Sequence, residues 1–231
     1  MKHVMMIAGV MLGLATFSWA DMLIGWDGGI TTDYAVNATG VSGNLWAGNS
    51  FGLESPKGST DGTFGSSIPG ADTDTDLVYN VRTATPGGTD RLGVQIVNST
   101  GSDLRLDLLV FDYGRWWAAS PQDITVKYVG GDLAVSIGTQ IDFFSGLSAL
   151  NGVLTDYDDF DVSLAGLADR VLAHGQQATF QLIASNSGSA TASGGFDNIG
   201  LTGSVIPEPS TIGLIALSSG VLLGIRRRML I

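Results

Sequence analysis

Alternation of apolar and polar residues at period two is the feature that most limits what the middle of this chain can fold into. It recurs at residues 92–97, 104–111, 123–129 and 133–137, with a further candidate strand at 178–184, whereas apolar spacing of the helical kind is almost missing. Period two puts every second side chain on one face of an extended strand, so each run has one face for a core and one for solvent. The run Leu104-Arg-Leu-Asp-Leu-Leu-Val-Phe111 alternates and then turns continuously apolar, as a central strand does. Further strands are expected at 77–81, 160–164 and 196–201. Turn chemistry separates them at Asn98-Ser-Thr-Gly101, Asn151-Gly152 and Asn186-Ser-Gly188, and Gly130-Gly131 is expected to join two strands as a hairpin. Residues 164–172 read either as an amphipathic helix, with Leu164, Leu167, Val171 and Leu172 near one face, or as a strand followed by a turn. Residues 42–75 are rich in Gly, Ser, Asp and Thr and read as long loops around short edge strands. No internal repeat appears. The fold class that follows is all-β, an antiparallel β-sandwich or jelly roll over residues 21–203.

Composition narrows the function. Only 14% of the 231 residues are charged, and the net charge is −11. Four of the few basic residues, Lys2, Arg226, Arg227 and Arg228, sit in the end segments, so the middle is more acidic still. Such a surface repels nucleic acid and anionic lipid and attracts cations, which excludes nucleic acid as a partner. With no cysteine there is no thiol chemistry and no cysteine-based zinc site.

The two ends read as addresses. Met1-Lys2-His3, an apolar run over residues 4–17, and the small residues Ser18 and Ala20 at −3 and −1 meet the physical requirements of a secretory signal peptide. Cleavage between Ala20 and Asp21 by signal peptidase, after export by Sec-type machinery, is the expectation. At the other end Pro207-Glu208-Pro209-Ser210 precedes an apolar stretch over 211–225 and then Arg226-Arg227-Arg228. Fifteen apolar residues cross a bilayer only marginally, as a short transmembrane helix, and the arginines fix that end on the cytoplasmic side. The flanking prolines keep Glu208 in extended, accessible backbone.

This tail, residues 204–231, resembles the PEP-CTERM sorting domain, whose members share the order Pro-Glu-Pro, apolar helix, basic cluster. The resemblance implies that a membrane-embedded exosortase recognises and cuts the tail, with Glu208 as part of a substrate motif, in a Gram-negative bacterium that makes exopolysaccharide. An inner-membrane intermediate would then give way to a location in the envelope, on the outer surface or in the extracellular matrix of a biofilm.

Few residues of the middle domain suggest chemistry. Asp72, Asp74 and Asp76 place three carboxylates on alternate residues, which wraps a hard cation such as calcium or is simply a solvated loop. The spacing is not that of an EF-hand, because Leu77 stands where glycine is needed. The second acidic cluster, Asp156-Tyr-Asp-Asp-Phe-Asp161, reads as an acidic loop at a strand start, with calcium binding as the alternative. Tyr113, Trp116 and Trp117 follow the strongest strand and are candidates for stacking on a sugar, though tryptophans in sandwiches more often fill cores. His174, in a turn composition, is expected at the surface. No catalytic set can be assembled, and no cofactor beyond Ca2+ is suggested. The expectation is a non-catalytic surface or exopolysaccharide-associated protein; a carbohydrate-binding module is the alternative, and a glycan-active enzyme stands behind both.

Overall fold

The computed structural model describes residues 21–27, 35–48, 52–54, 58–71, 78–150 and 157–206. Within them the chain forms β1 (Asp21–Trp26), β2 (Val36–Asn37), β3 (Val41–Ala47), β4 (Gly52–Glu54), β5 (Thr63–Phe64), β6 (Ile68–Pro69), β7 (Val78–Val81) and β8 (Thr89–Asn98). It continues through β9 (Asp103–Gly114), β10 (Asp123–Gly131), β11 (Gln140–Phe144), β12 (Asp158–Ser163), β13 (Val171–Leu172), β14 (Gln177–Ser185) and β15 (Gly194–Ile206). The fold is an antiparallel β-sandwich. One sheet runs β12-β9-β15-β1-β2, with β13 on β9 and with β7 and β4 beside the start of β15; the other runs β11-β10-β14-β8-β3.

The alternating runs explain the core between the sheets. Leu92, Val94 and Ile96 of β8, Ile124, Val126 and Tyr128 of β10, and Phe180 and Leu182 of β14 face Leu104, Leu106, Leu109 and Phe111 of β9 and Phe196, Ile199 and Leu201 of β15 in one apolar cluster. Aromatic rings lock its centre: Phe111 stacks on Phe160 with centroids 4.9 Å apart and meets Phe196 edge-on at 5.7 Å. The strand β15 lies between β9 and β1, and its residues are buried from Gly194 to Gly203 on both faces. That is why its sequence shows little alternation.

The structure corrects three expectations. Residues 133–137 are not the second arm of a hairpin. They form bends and a turn after β10, with Leu133 buried and Val135 donating its N–H to the Leu133 carbonyl at 2.7 Å, and the next strand to return along β10 is β11. Alternation alone does not make a strand when no neighbour offers a ladder. Residues 164–172 are neither a regular helix nor one strand: a single 3-10 turn at Leu164–Gly166, capped by the Ser163 hydroxyl, leads into the short β13. The segment 42–75 opens with a full strand, β3, paired along its length with β8, before the short β4, β5 and β6. The last strand also runs past residue 203 to Ile206. The expected signal peptide, the Asn151-Gly152 turn and the sorting tail lie outside the described residues. Among the described residues no helix is long and apolar enough to cross a membrane.

Candidate functional site

Three neighbouring strands bring carboxylates into register. Asp159 of β12 stands opposite Asp112 of β9, and Asp112 stands opposite Asp197 of β15. Their neighbours Phe160, Phe111 and Phe196 point into the core, so the aspartates, one position out of phase, line the outer face of the sheet. Like charges directly opposite each other weaken a sheet, so a row of three needs compensation.

A hairpin covers the row. The strands β5 and β6 pair with each other, and Phe64 on β5 is fully buried although it lies outside the main core. Its ring rests on β1 at Gly25, where a Cβ would come within 2.9 Å of it. Glycine there is what lets the hairpin approach. The segment is fastened at both ends by aspartates of the sheet beneath. Asp197 Oδ2 accepts the Ser59 N–H at 2.7 Å, and Asp161 accepts the Ser66 N–H at 3.2 Å and also the Ser66 hydroxyl. Between these fastenings lies Asp61, itself turned by accepting the Thr63 N–H at 2.9 Å. Carboxylate oxygens of Asp61, Asp112 and Asp159 come within 4.8 Å of one another.

Asp112 is the buried member, with none of its surface exposed. Its Oδ2 accepts the Asn198 side-chain amide at 2.7 Å, while Oδ1 has no hydrogen-bond partner. Asn198 sits at a β-bulge, where three steps along β15 from Asp197 to Gly200 oppose two along β9, and it adopts φ 43°. A left-handed asparagine at a bulge is how a strand re-aims a side chain. Burial, and then the nearby charges of Asp159, Asp61 and Asp197, push the Asp112 carboxyl up to about 9 against the usual 3.8; the Asn198 hydrogen bond opposes this. In the protein alone Asp112 therefore holds a proton at neutral pH. Carboxylates this close repel one another when all are charged.

A second cover closes the row on its other side. Trp116, 2% exposed, donates its indole N–H to the Tyr157 hydroxyl at 2.9 Å and packs with Val78. Tyr157 lies over Gly114, where a Cβ would meet its ring at 2.6 Å. Desolvation drives the Tyr157 hydroxyl pKa well upward, so it stays protonated.

The aromatic candidates separate. Tyr113 is a core residue whose hydroxyl donates to the Pro121 carbonyl at 2.8 Å, and Trp116 belongs to the cover just described. Both lack a free ring face, which corrects the sugar-contact expectation for these two: the chain after β9 turns back over the sheet instead of splaying into a rim. Arg115 ties that turn by donating to the carbonyls of Leu147 at 2.6 Å, Ser120 at 3.3 Å and Ala118. Trp117 alone of the three is 54% exposed. His174 is at the surface, where it accepts the Gly101 N–H at 3.1 Å. Asp72, Asp74 and Asp76, like Ala20, Pro207, Glu208, Pro209, Arg226, Arg227 and Arg228, lie outside the described residues. Asp61, Asp112 and Asp197 were not singled out from the sequence. The signal for Asp112 was a lone acid straight after an apolar central strand.

No protein-family model and no curated protein sequence matches the chain. Among solved structures it is similar to an arabinose-bound α-L-arabinofuranosidase, at 10% identity and a TM-score of 0.41. That similarity covers 79% of this chain and 27% of the enzyme, so the chain spans about a quarter of the enzyme's length.

Proposed function

We propose that this chain is an exported, non-catalytic β-sandwich, sorted through its C-terminal tail by an exosortase to the envelope or extracellular matrix of a Gram-negative bacterium. The observation that carries this reading is the pair of end sequences: a charged start, an apolar run and small residues before Asp21, and Pro207-Glu208-Pro209, an apolar stretch and three arginines after Ile206. The strand β1 opens at Asp21, the residue after the expected signal-peptide cut, and β15 ends at Ile206, the residue before Pro207. Asp21 also stands opposite Gly203 in the ladder between those strands, so the new N-terminus and the head of the tail leave from the same end of the sandwich.

The acidic row supports the non-catalytic part. Paired acids of glycoside hydrolases stand about 5–5.5 Å apart or about 6.5–9.5 Å apart, with room for a sugar between them. Here the central member, Asp112, is fully enclosed, away from any substrate in solution. A second reading, exopolysaccharide contact, rests on Trp117, whose exposed ring is held on a turn by the Ser120 hydroxyl, which accepts the Trp117 N–H at 3.0 Å.

Cell fractionation tests the sorting. The wild-type chain is expected to leave the inner-membrane fraction, and both the Glu208→Ala variant and the wild type in an exosortase-deficient strain are expected to stay in it. Normal sorting of Glu208→Ala, or of the wild type without exosortase, would count against the proposal.

A further inference from the structure

We propose that Asp61, Asp112 and Asp159 bind one divalent cation of the calcium class on the outer face of the sandwich, about 30 Å along β15 from Ile206 at roughly 3.3 Å per residue. This goes beyond the sorting function and does not depend on it.

Three independent observations converge here. Asp112 is fully buried, its Oδ1 has no hydrogen-bond partner, and its carboxyl group reaches within 4.8 Å of the other two. An oxygen enclosed without a partner costs about 1–3 kcal/mol, and more when charged, unless something occupies its lone pairs. Asp159, Asp112 and Asp197 also stand opposite one another across three strands, and like charges directly opposite each other are destabilising. Finally, the β-bulge at Asn198 spends a left-handed backbone on one hydrogen bond to Asp112 Oδ2, which fixes the carboxylate with Oδ1 left open.

The ligand atoms choose the ion. All are carboxylate oxygens, which suit hard cations. Two of the three carboxylates are on exposed residues, so water can complete a large and adaptable shell, which suits calcium better than the rigid octahedron of magnesium. Asp197 has a different part: by holding Ser59 it positions Asp61 over the row.

The test uses the full-length chain stripped with EDTA and then titrated with calcium chloride or magnesium chloride, with bound ion per chain and melting temperature as readouts. Calcium is expected to bind and to raise the melting temperature, with magnesium weaker. Asp61 sits on the surface, so Asp61→Asn is expected to keep the far-UV circular dichroism of the wild type and to weaken calcium binding roughly tenfold or more. Asp159→Asn is expected to behave alike. Three results would overturn the proposal: no bound calcium; equal shifts from calcium and magnesium; or calcium binding and stabilisation undiminished in both variants, which would put any ion elsewhere, for instance at Asp72, Asp74 and Asp76.

Discussion

Asp112 and Asp197 stand opposite each other on the adjacent strands β9 and β15, both with no exposed surface, and each is held by a different element. Asp112 takes the Asn198 amide from the bulge of β15, and Asp197 takes the Ser59 N–H from the segment leading into the β5–β6 hairpin. The sandwich thus buries two carboxylates back to back where an ordinary sheet would place apolar or small residues.

That arrangement makes cation-free stability depend on pH with a definite sign. The Asp112 carboxyl is raised to about 9 in the folded chain from 3.8, by burial first and then by Asp159, Asp61 and Asp197, with the Tyr157 hydroxyl facing the same cluster. The folded state holds a proton there that the unfolded chain has lost, so this contribution is fully present below about pH 4 and is lost as pH rises through about 9. Asp169 acts oppositely. Backbone N–H groups of Ala134 and Val171 lower its pKa, so its contribution is present above the unfolded value of 3.8 and is lost as pH falls through the folded one. Thermal melts in EDTA are expected to show stability falling between pH 5 and pH 9, and Asp112→Asn is expected to flatten that slope. An unchanged slope in the variant would contradict the assignment.

The hairpin cover is expected to open as a local unit. Phe64 is its one large apolar side chain that is fully buried among the described residues, and Phe→Ala changes cost about 3–5 kcal/mol in a packed site. Phe64→Ala is therefore expected to expose the 58–71 segment to limited proteolysis while the β8–β14 ladder stays protected in hydrogen exchange. Identical digestion of variant and wild type would show that Phe64 does not hold the cover.

The two neighbouring tryptophans should behave differently. Trp116 is buried against Val78 and Tyr157 and donates to the Tyr157 hydroxyl, so Trp116→Ala is expected to cost about 3–5 kcal/mol in chemical denaturation. Trp117 is exposed, and Trp117→Ala is expected to stay within about 0.5 kcal/mol of the wild type. If exopolysaccharide contact runs through Trp117, the same variant loses retention in an affinity gel without losing stability. Equal destabilisation by both changes would contradict the burial assignment.

Much of the sandwich could be read from period-two runs, because β8, β10 and β14 bury alternate residues along most of their length, and β9 does so from Asp103 to Asp107 before it is buried on both faces. The strand β15 was legible only at residues 196–201, since burial on both faces and its glycines erase the alternation. The stretch 133–137 shows the converse, alternation with no ladder to join. At the acidic site, Asp159 and Asp161 were visible as a cluster, yet their partners were not. Asp112 and Asp197 are 85 residues apart in sequence and meet only through the β9–β15 register, which no local pattern encodes. Asp61, in a Gly-rich loop, gains its place from Phe64 and Ser59 and not from its own neighbours in the sequence.

The most direct test of the central claim is the intact mass of the chain recovered from outside the inner membrane of an exosortase-competent host. The account predicts a species that begins at Asp21 and has lost the 211–225 apolar stretch and Arg226–Arg228, with the strands from β1 through β15 intact. The same host without exosortase should yield a chain that begins at Asp21 and keeps the tail. A mass retaining the whole tail in the competent host, or a cut that removes residues of β15, would contradict it.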